Sequence, residues 1–211
     1  MTQWLQPLDL VGRAVTLEPL TRSHHDGLVE ATRDGELWKL WYTSVPSPDG
    51  MAAEIDRRLG LQQQGSMLPF VVRVNGTGQV GGMTTYLHAD APNRHIEIGA
   101  TWYRATLQRT GLNSECKWLL LRHAFESLQC VAVEFRTHVL NRPSRRAIER
   151  IGAKQDGILR NHMLLPDGTL RDTCVYSIIA AEWPTVRAHL QALLERPGIS
   201  QMSDSRTRAR S

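Results

Sequence analysis

Three runs of strand period follow one another in the middle of the chain, at 68–74, 79–87 and 95–103, with helical periods on either side. The first two are joined by Asn75-Gly76-Thr77-Gly78, a composition that turns a chain back on itself as a β-hairpin. The third, with Ile96 and Ile98 alternating against Glu97, runs into a helix at 114–128 whose Cys116, Leu119, Leu120, Phe125 and Leu128 share one side. A further strand follows at 131–139, where Val131, Val133 and Phe135 alternate with Ala132, Glu134 and Arg136.

The flanks fit the same plan. Residues 11–20 alternate Val15 and Leu17 against Thr16 and Glu18, which predicts a first strand. Residues 21–34 read as a helix with Ser23 as N-cap, and 49–64 as a second helix behind Pro46 and Pro48. Pro143, at a first helical position, opens a short helix that stops at Gly152. Strands at 155–164 and 170–180 flank Pro166-Asp167-Gly168, and Glu182-Trp183-Pro184 begins a last helix ending near Glu195. The order β-α-α-β-β-β-α-β-α-β-β-α belongs to a mixed α/β or α+β fold with one central sheet. A single domain over 1–196 is expected, with 197–211 as a disordered basic tail.

Composition narrows the class. At 211 residues, 41% hydrophobic and 22% charged, the chain is an ordinary globular domain rather than a disordered or fibrous one. A net charge of +4 suits an anionic ligand but falls short of the basic stripe of a dedicated nucleic-acid binder. Cys116, Cys130 and Cys174 form no Cys-x-x-Cys pair, so neither a disulfide framework nor a zinc site is expected, and no metal. The first ten residues lack the features of a signal peptide, and no apolar run is long enough to cross a bilayer. A cytoplasmic protein without membrane contact is expected.

The chemistry concentrates at the junction after the third central strand. That strand ends in Gly99-Ala100-Thr101-Trp102, a loop reads Gln108-Arg109-Thr110-Gly111-Leu112-Asn113-Ser114, and a helix begins at once. Backbone N–H groups at such a helix start point into the loop, and the helix dipole adds partial positive charge, so the junction is suited to an anion. It contains neither a Walker loop nor a GxGxxG dinucleotide fingerprint.

Taken with the segments that follow, the junction resembles the GCN5-related N-acetyltransferase (GNAT) superfamily, and most closely its RimJ/RimL-like branch, which acetylates protein N-termini and related amines. The resemblance rests on Leu17-Glu18-Pro19-Leu20, Ile96-Glu97-Ile98-Gly99, Gln108-x-x-Gly111 with Glu115, and Val133-Glu134-Phe135-Arg136. Asn141-x-x-Ser144, Glu149-Arg150-Ile151-Gly152-Ala153 and Gly157-Ile158-Leu159-Arg160 complete it, so that it spans about residues 10 to 195. It implies the acyl-CoA N-acyltransferase fold: a mostly antiparallel sheet flanked by helices, with its fourth and fifth strands, 95–103 and 131–139, parallel and splayed. The implied co-substrate is acetyl-CoA.

On this resemblance the backbones of Thr101 and Trp102 pair with pantetheine. Gln108, Arg109, Thr110, Gly111, Leu112, Asn113 and Ser114 hold the pyrophosphate, and Asn141 bonds a pantetheine amide through its side chain. The reaction, attack of a neutral amine on a thioester, needs a base for the ammonium and an acid for the departing thiolate. Glu97 reads either as that base, through water, or as an ion-paired strand carboxylate. Ser144 reads either as the acid or as a helix-start hydroxyl. Where many members carry a Tyr acid this chain has Ile148, the loop has Asn113 in place of the usual Gly or Ala, and Gly152-Ala153 replaces the frequent Gly-Phe. Trp38, Trp41 and Tyr42 fall where relatives place the substrate-side wall, as pocket residues or as caps on the core.

The expected activity is direct acetyl transfer in a ternary complex to a primary amine, either a protein N-terminus or a small molecule. A homodimer is an open option. A non-catalytic acyl-CoA-binding or sensing module is the alternative, suggested by the missing Tyr and by Asn113. A nucleic-acid partner has only the basic tail in its favour.

Overall fold

Alternate residues of the strand Met67–Val74 enter two different hydrophobic cores: Leu68, Phe70 and Val72 on one face, Val71 on the other. A strand with a period of two can be buried along its length only if both faces of its sheet are covered. The computed structural model, which describes residues 4–195, shows that arrangement. Eight strands form one sheet: β1 (Leu10–Val11), β2 (Val15–Pro19), β3 (Met67–Val74), β4 (Val80–Asp90), β5 (His95–Tyr103), β6 (Ala132–His138), β7 (Lys154–Leu164) and β8 (Leu170–Ile179). Their order is β1-β2-β3-β4-β5-β6-β8-β7, and every pair is antiparallel except β5–β6.

Five helices flank the sheet: α1 (His25–Arg33), α2 (Met51–Gln63), α3 (Leu112–Arg122), α4 (Arg142–Arg150) and α5 (Trp183–Leu194). One core joins Leu28 and Ala31 of α1 and Met51 and Ile55 of α2 to Val71, Met83 and Trp102. The larger core joins Cys116, Leu119 and Leu120 of α3 and Val186 and Leu190 of α5 to Phe70, Tyr86, Val133, Phe135 and Tyr176. Burial of these side chains, at roughly 25 cal/mol per Å² of apolar surface, is the main force closing the three layers.

The parallel pair positions the site. β5 and β6 are in register at His95↔Ala132, Ile96↔Val133 and Glu97↔Glu134, and nowhere beyond. After Glu97 the strands part, while β5 stays on β4 as far as Gly82↔Tyr103 and β6 stays on β8 along its length. A V-shaped notch therefore opens in the middle of the sheet, bordered by backbone that has no strand partner on that side.

Four expectations are corrected in detail. The first strand is split into β1 and β2, because the chain turns at Gly12, whose N–H donates to Val15 O at 2.8 Å. The cap of the first helical segment is Thr21, not Ser23: a 3-10 turn at Arg22–His24 precedes α1, with a reciprocal capping box between Thr21 and His24. The third helix starts at Leu112, since Gly111 takes φ 89 as its N-cap, and after Arg122 it widens to a π turn over His123–Ser127 that buries both Ala124 and Phe125. The following helix starts at Arg142, one residue before Pro143, which stands in its first turn, and Asn141 is its N-cap, with Oδ1 accepting from Ser144 N at 3.1 Å. The tail 197–211 lies outside the described residues.

Candidate active site

The notch widens into a cleft of about 1140 Å³. β5 supplies Glu97 through Tyr103, β6 supplies Phe135 through His138, and α4 with its cap supplies Asn141, Ser144, Ile148 and Arg150. The segment before α2 adds Tyr42 and Val45, and α2 itself adds Glu54, Arg57 and Arg58. The cleft thus runs through the sheet from the α3 side to the α1–α2 side.

At the α3 side lies the loop singled out in the sequence. The amides of Gly111, Leu112 and Asn113 find no acceptor among the described residues, while those of Ser114 and Glu115 both bond Gly111 O. Free donors at a helix start form an anion site. Arg109, Arg146 and Arg150 line the same end of the cleft or its rim, and Arg150 also donates to Ser114 Oγ at 3.3 Å. Of the predicted cofactor residues, Thr101, Trp102, Gln108, Arg109, Asn113 and Asn141 border the cleft. Thr110, Gly111, Leu112 and Ser114 do not line it: Leu112 and Ser114 are buried behind the loop and Thr110 Oγ1 is turned to Leu107 O. Gln108 and Asn113 are tied to Tyr103, the first through its carbonyl and the second through its hydroxyl, which fixes the loop against β5.

At the throat, Glu97 is 6% exposed and its Oε2 accepts from His88 Nδ1 at 2.8 Å. Arg136 Nε lies 3.6 Å from the same oxygen and donates through Nη2 to Glu134. The hydrogen bond to Glu97 raises the His88 pKa above its ordinary value. Gly99 makes room for this carboxylate, because a Cβ there would meet Glu97 Oε1 and Leu87 Cδ1 at 2.8 Å each. Ser144 shares the cleft, and its Oγ has no protein partner among the described residues. Ile148 is buried beside it.

The aromatic group divides. Tyr42 lines the cleft, whereas Trp38 and Trp41 do not. Trp41, 55% exposed, packs edge-on against Tyr42 and against His138, with ring centroids 5.6 and 5.2 Å away.

Three polar groups of the cleft were not read from the sequence. Arg58, 1% exposed, is held by Glu54 Oε1 at 2.7 Å and Thr85 Oγ1 at 2.6 Å at the α1–α2 side. His88 stands at the mouth, on a backbone with φ 47. Lys117 reaches from α3 into the notch, donating to Thr101 Oγ1 at 2.9 Å. Lys117 has Asn113, Ser114, Leu120 and Leu121 as its neighbours one turn away, so no apolar stripe marks it in the sequence. For His88 and Arg58 no local pattern exists.

All three cysteines are buried and free, and burial pushes the Cys116 and Cys130 thiols up to about 12. None lines the cleft. Among the described residues no group of three or more His, Cys, Asp or Glu is placed to hold a metal ion, and no helix is long and apolar enough to cross a membrane.

Comparison with known proteins agrees with this geometry. The family model described as an acetyltransferase (GNAT) domain matches residues 14–154. A Bacillus subtilis (strain 168) protein named "Putative ribosomal N-acetyltransferase YdaF" is 31% identical over 106 residues, which are 50% of this chain and 57% of that relative. The crystal structure of a GCN5-related N-acetyltransferase from Brucella melitensis is similar with a TM-score of 0.79 at 30% identity, covering 89% of this chain and 86% of that one. Mycobacterium smegmatis RimJ in complex with CoA-disulfide, at 22% identity and a TM-score of 0.71 over 84% of this chain and 88% of that one, shares the fold. A mixed sheet parted at one parallel pair, with free amides at the helix start beside the gap, is thus matched by sequence across two thirds of the chain: it belongs to the GNAT acetyltransferase family.

Proposed function

We propose that the protein transfers the acetyl group of acetyl-CoA directly to a primary amine, and that the acceptor is the α-amine of a protein N-terminus. The observation that carries the reading is the notch itself. Beyond Glu97 the edge of β5 that faces β6 has no strand partner, so an extended chain of amides such as pantetheine can add to it as a pseudo-strand. The unpaired amide of Asn113 at one end of the cleft, with those of Gly111 and Leu112 just behind it, and the arginines of the lining suit the pyrophosphate. Asn141 keeps its Nδ2 for the ligand while its Oδ1 caps α4.

Glu97 is the group proposed to take the proton of the incoming ammonium, through water, with His88 leading that proton to solvent. The absence of a thiol from the cleft supports transfer without an acyl-enzyme. The cleft's volume of about 1140 Å³, with Tyr42, Val45 and Glu54 lining its α1–α2 side, leaves room for a peptide end beside the cofactor. A relative named as a putative ribosomal N-acetyltransferase supports a protein acceptor. Release of CoA thiol over a panel of peptides with free N-termini and of small primary amines tests the reading. Turnover on peptides supports it; turnover on small amines alone replaces the acceptor; binding of acetyl-CoA with no turnover on any amine leaves the non-catalytic module.

A further inference from the structure

A buried ammonium without a counter-ion lies at the apex of the notch. Lys117 is 6% exposed, and among the described residues no carboxylate is within ion-pair distance of it. Its Nζ donates to Thr101 Oγ1 at 2.9 Å and to Thr84 Oγ1 at 3.4 Å, and stands 6.0 Å from the centre of the Phe135 ring. Thr101 belongs to β5 beyond its last pairing with β6, and Phe135 follows immediately after Glu134, the last paired residue of β6. The ammonium therefore projects into the gap between the parted strands. Leaving a charge unpaired in the interior is costly, and a residue of that kind points to an anion that arrives with the ligand.

We propose that Lys117 donates the proton taken up by the CoA thiolate as it departs. The step rests on the acetyl-transfer reading of the cleft. The amine nitrogen bonds to the acetyl carbon, the C–S bond breaks with its electron pair going to sulfur, and a proton passes from Lys117 Nζ to that sulfur. The proton lost by the amine leaves by way of Glu97 or water, and Lys117 regains its own from solvent when the product has gone. Ile148 on the cleft wall has no proton to give, and a serine hydroxyl such as Ser144 is a far weaker acid than an ammonium. Burial lowers the Lys117 pKa to about 8, closer to that of a thiol than an exposed lysine would be. Cys116 on the same helix, Tyr86 on β4 and Tyr103 on β5 are all driven towards their neutral forms by burial, while Arg136 of β6 faces Glu97 of β5 at the throat.

The test compares wild type with Lys117→Met and Lys117→Arg by two readouts. Calorimetry with CoA and with desulfo-CoA needs no turnover. Wild type is expected to bind CoA about tenfold more tightly than desulfo-CoA near pH 8, where Lys117 still holds its proton in part, the size of one charge-assisted hydrogen bond, and Lys117→Met to bind the two alike. The kcat/KM of wild type should rise with pH as the acceptor deprotonates and fall above about pH 8 as Lys117 loses its proton. Lys117→Arg should lose that fall, because a guanidinium stays charged, and Lys117→Met should turn over about 10²-fold more slowly while melting at a higher temperature. Equal binding of CoA and desulfo-CoA by wild type, unchanged turnover in Lys117→Met, a lowered melting temperature in that variant, or an acetyl group found on Lys117 itself would each overturn the assignment. Failure of wild type to bind CoA at all would instead remove the acetyl-transfer reading.

Discussion

His88 Nδ1 donates to Glu97 Oε2 at 2.8 Å across the β4–β5 ladder, joining an imidazole at the cleft mouth to a carboxylate buried in its throat. The two side chains meet because the register of β4 and β5 slips between Leu87 and Asp90, and His88 takes a left-handed backbone at the slip. The pair gives the proposed base a route to water.

Glu97→Gln keeps the shape and the hydrogen bond from His88 but cannot accept a proton. Turnover should fall about 10²- to 10⁴-fold with little change in acetyl-CoA affinity, and the deficit should shrink as pH rises and the amine deprotonates unaided. Steady-state kinetics over pH, with acetyl-CoA binding measured separately, checks this.

His88→Asn reports on the pair through stability. The His88 pKa is raised in the folded protein, so its contribution is fully present below the unfolded value of about 6.5 and disappears as pH rises through the folded value. Wild type should therefore exceed His88→Asn in melting temperature at pH 5 to 6, with the gap closing on the alkaline side. A gap independent of pH would count against the charged pair. The imidazole is largely exposed, so the shift should be small.

Gly111→Val tests the anion site. Gly111 takes φ 89 at the N-cap of α3, where a β-branched residue is strained, and it begins the run of free amides. CoA should stabilise wild type against heat and stabilise this variant much less, and dephosphorylated fragments lacking pyrophosphate should have little effect on either.

Asn141→Ala removes a helix cap and a proposed ligand contact together. Loss of the cap should cost about 1 kcal/mol in denaturant unfolding without ligand. Asn141→Asp keeps the cap and discards the amide donor, so it should unfold like wild type yet bind CoA more weakly. Equal CoA affinity in Asn141→Asp and wild type would confine Asn141 to capping.

Much of the architecture was legible from local pattern. The alternation of Ile96 and Ile98 against Glu97, the Asn75-Gly76-Thr77-Gly78 turn and the apolar stripe of α3 each follow from contacts between neighbours in sequence, which periodicity reports directly. The order of strands and helices could thus be read along the chain. So could the unpaired amides at the start of α3, since a glycine before an apolar helix leaves its first N–H groups without partners whatever the rest of the fold does.

What the sequence could not carry was pairing over long separations. Glu115 accepts from the backbone amides of Arg13 and Ala14, in the turn between β1 and β2, a contact that has no local signature. Lys117 looks like a surface lysine until β4, β5 and β6 close over it, and His88 meets Glu97 only through a slipped register. Trp38 and Trp41 carry the same aromatic signal as Tyr42, yet only Tyr42 lines the cleft. The sequence by itself determined the elements, their order and the helix-start amides, because these depend on neighbouring residues. Tertiary structure alone decided where the sheet parts and which charges are buried there, because burial and partner are set by segments that meet only once the chain has folded.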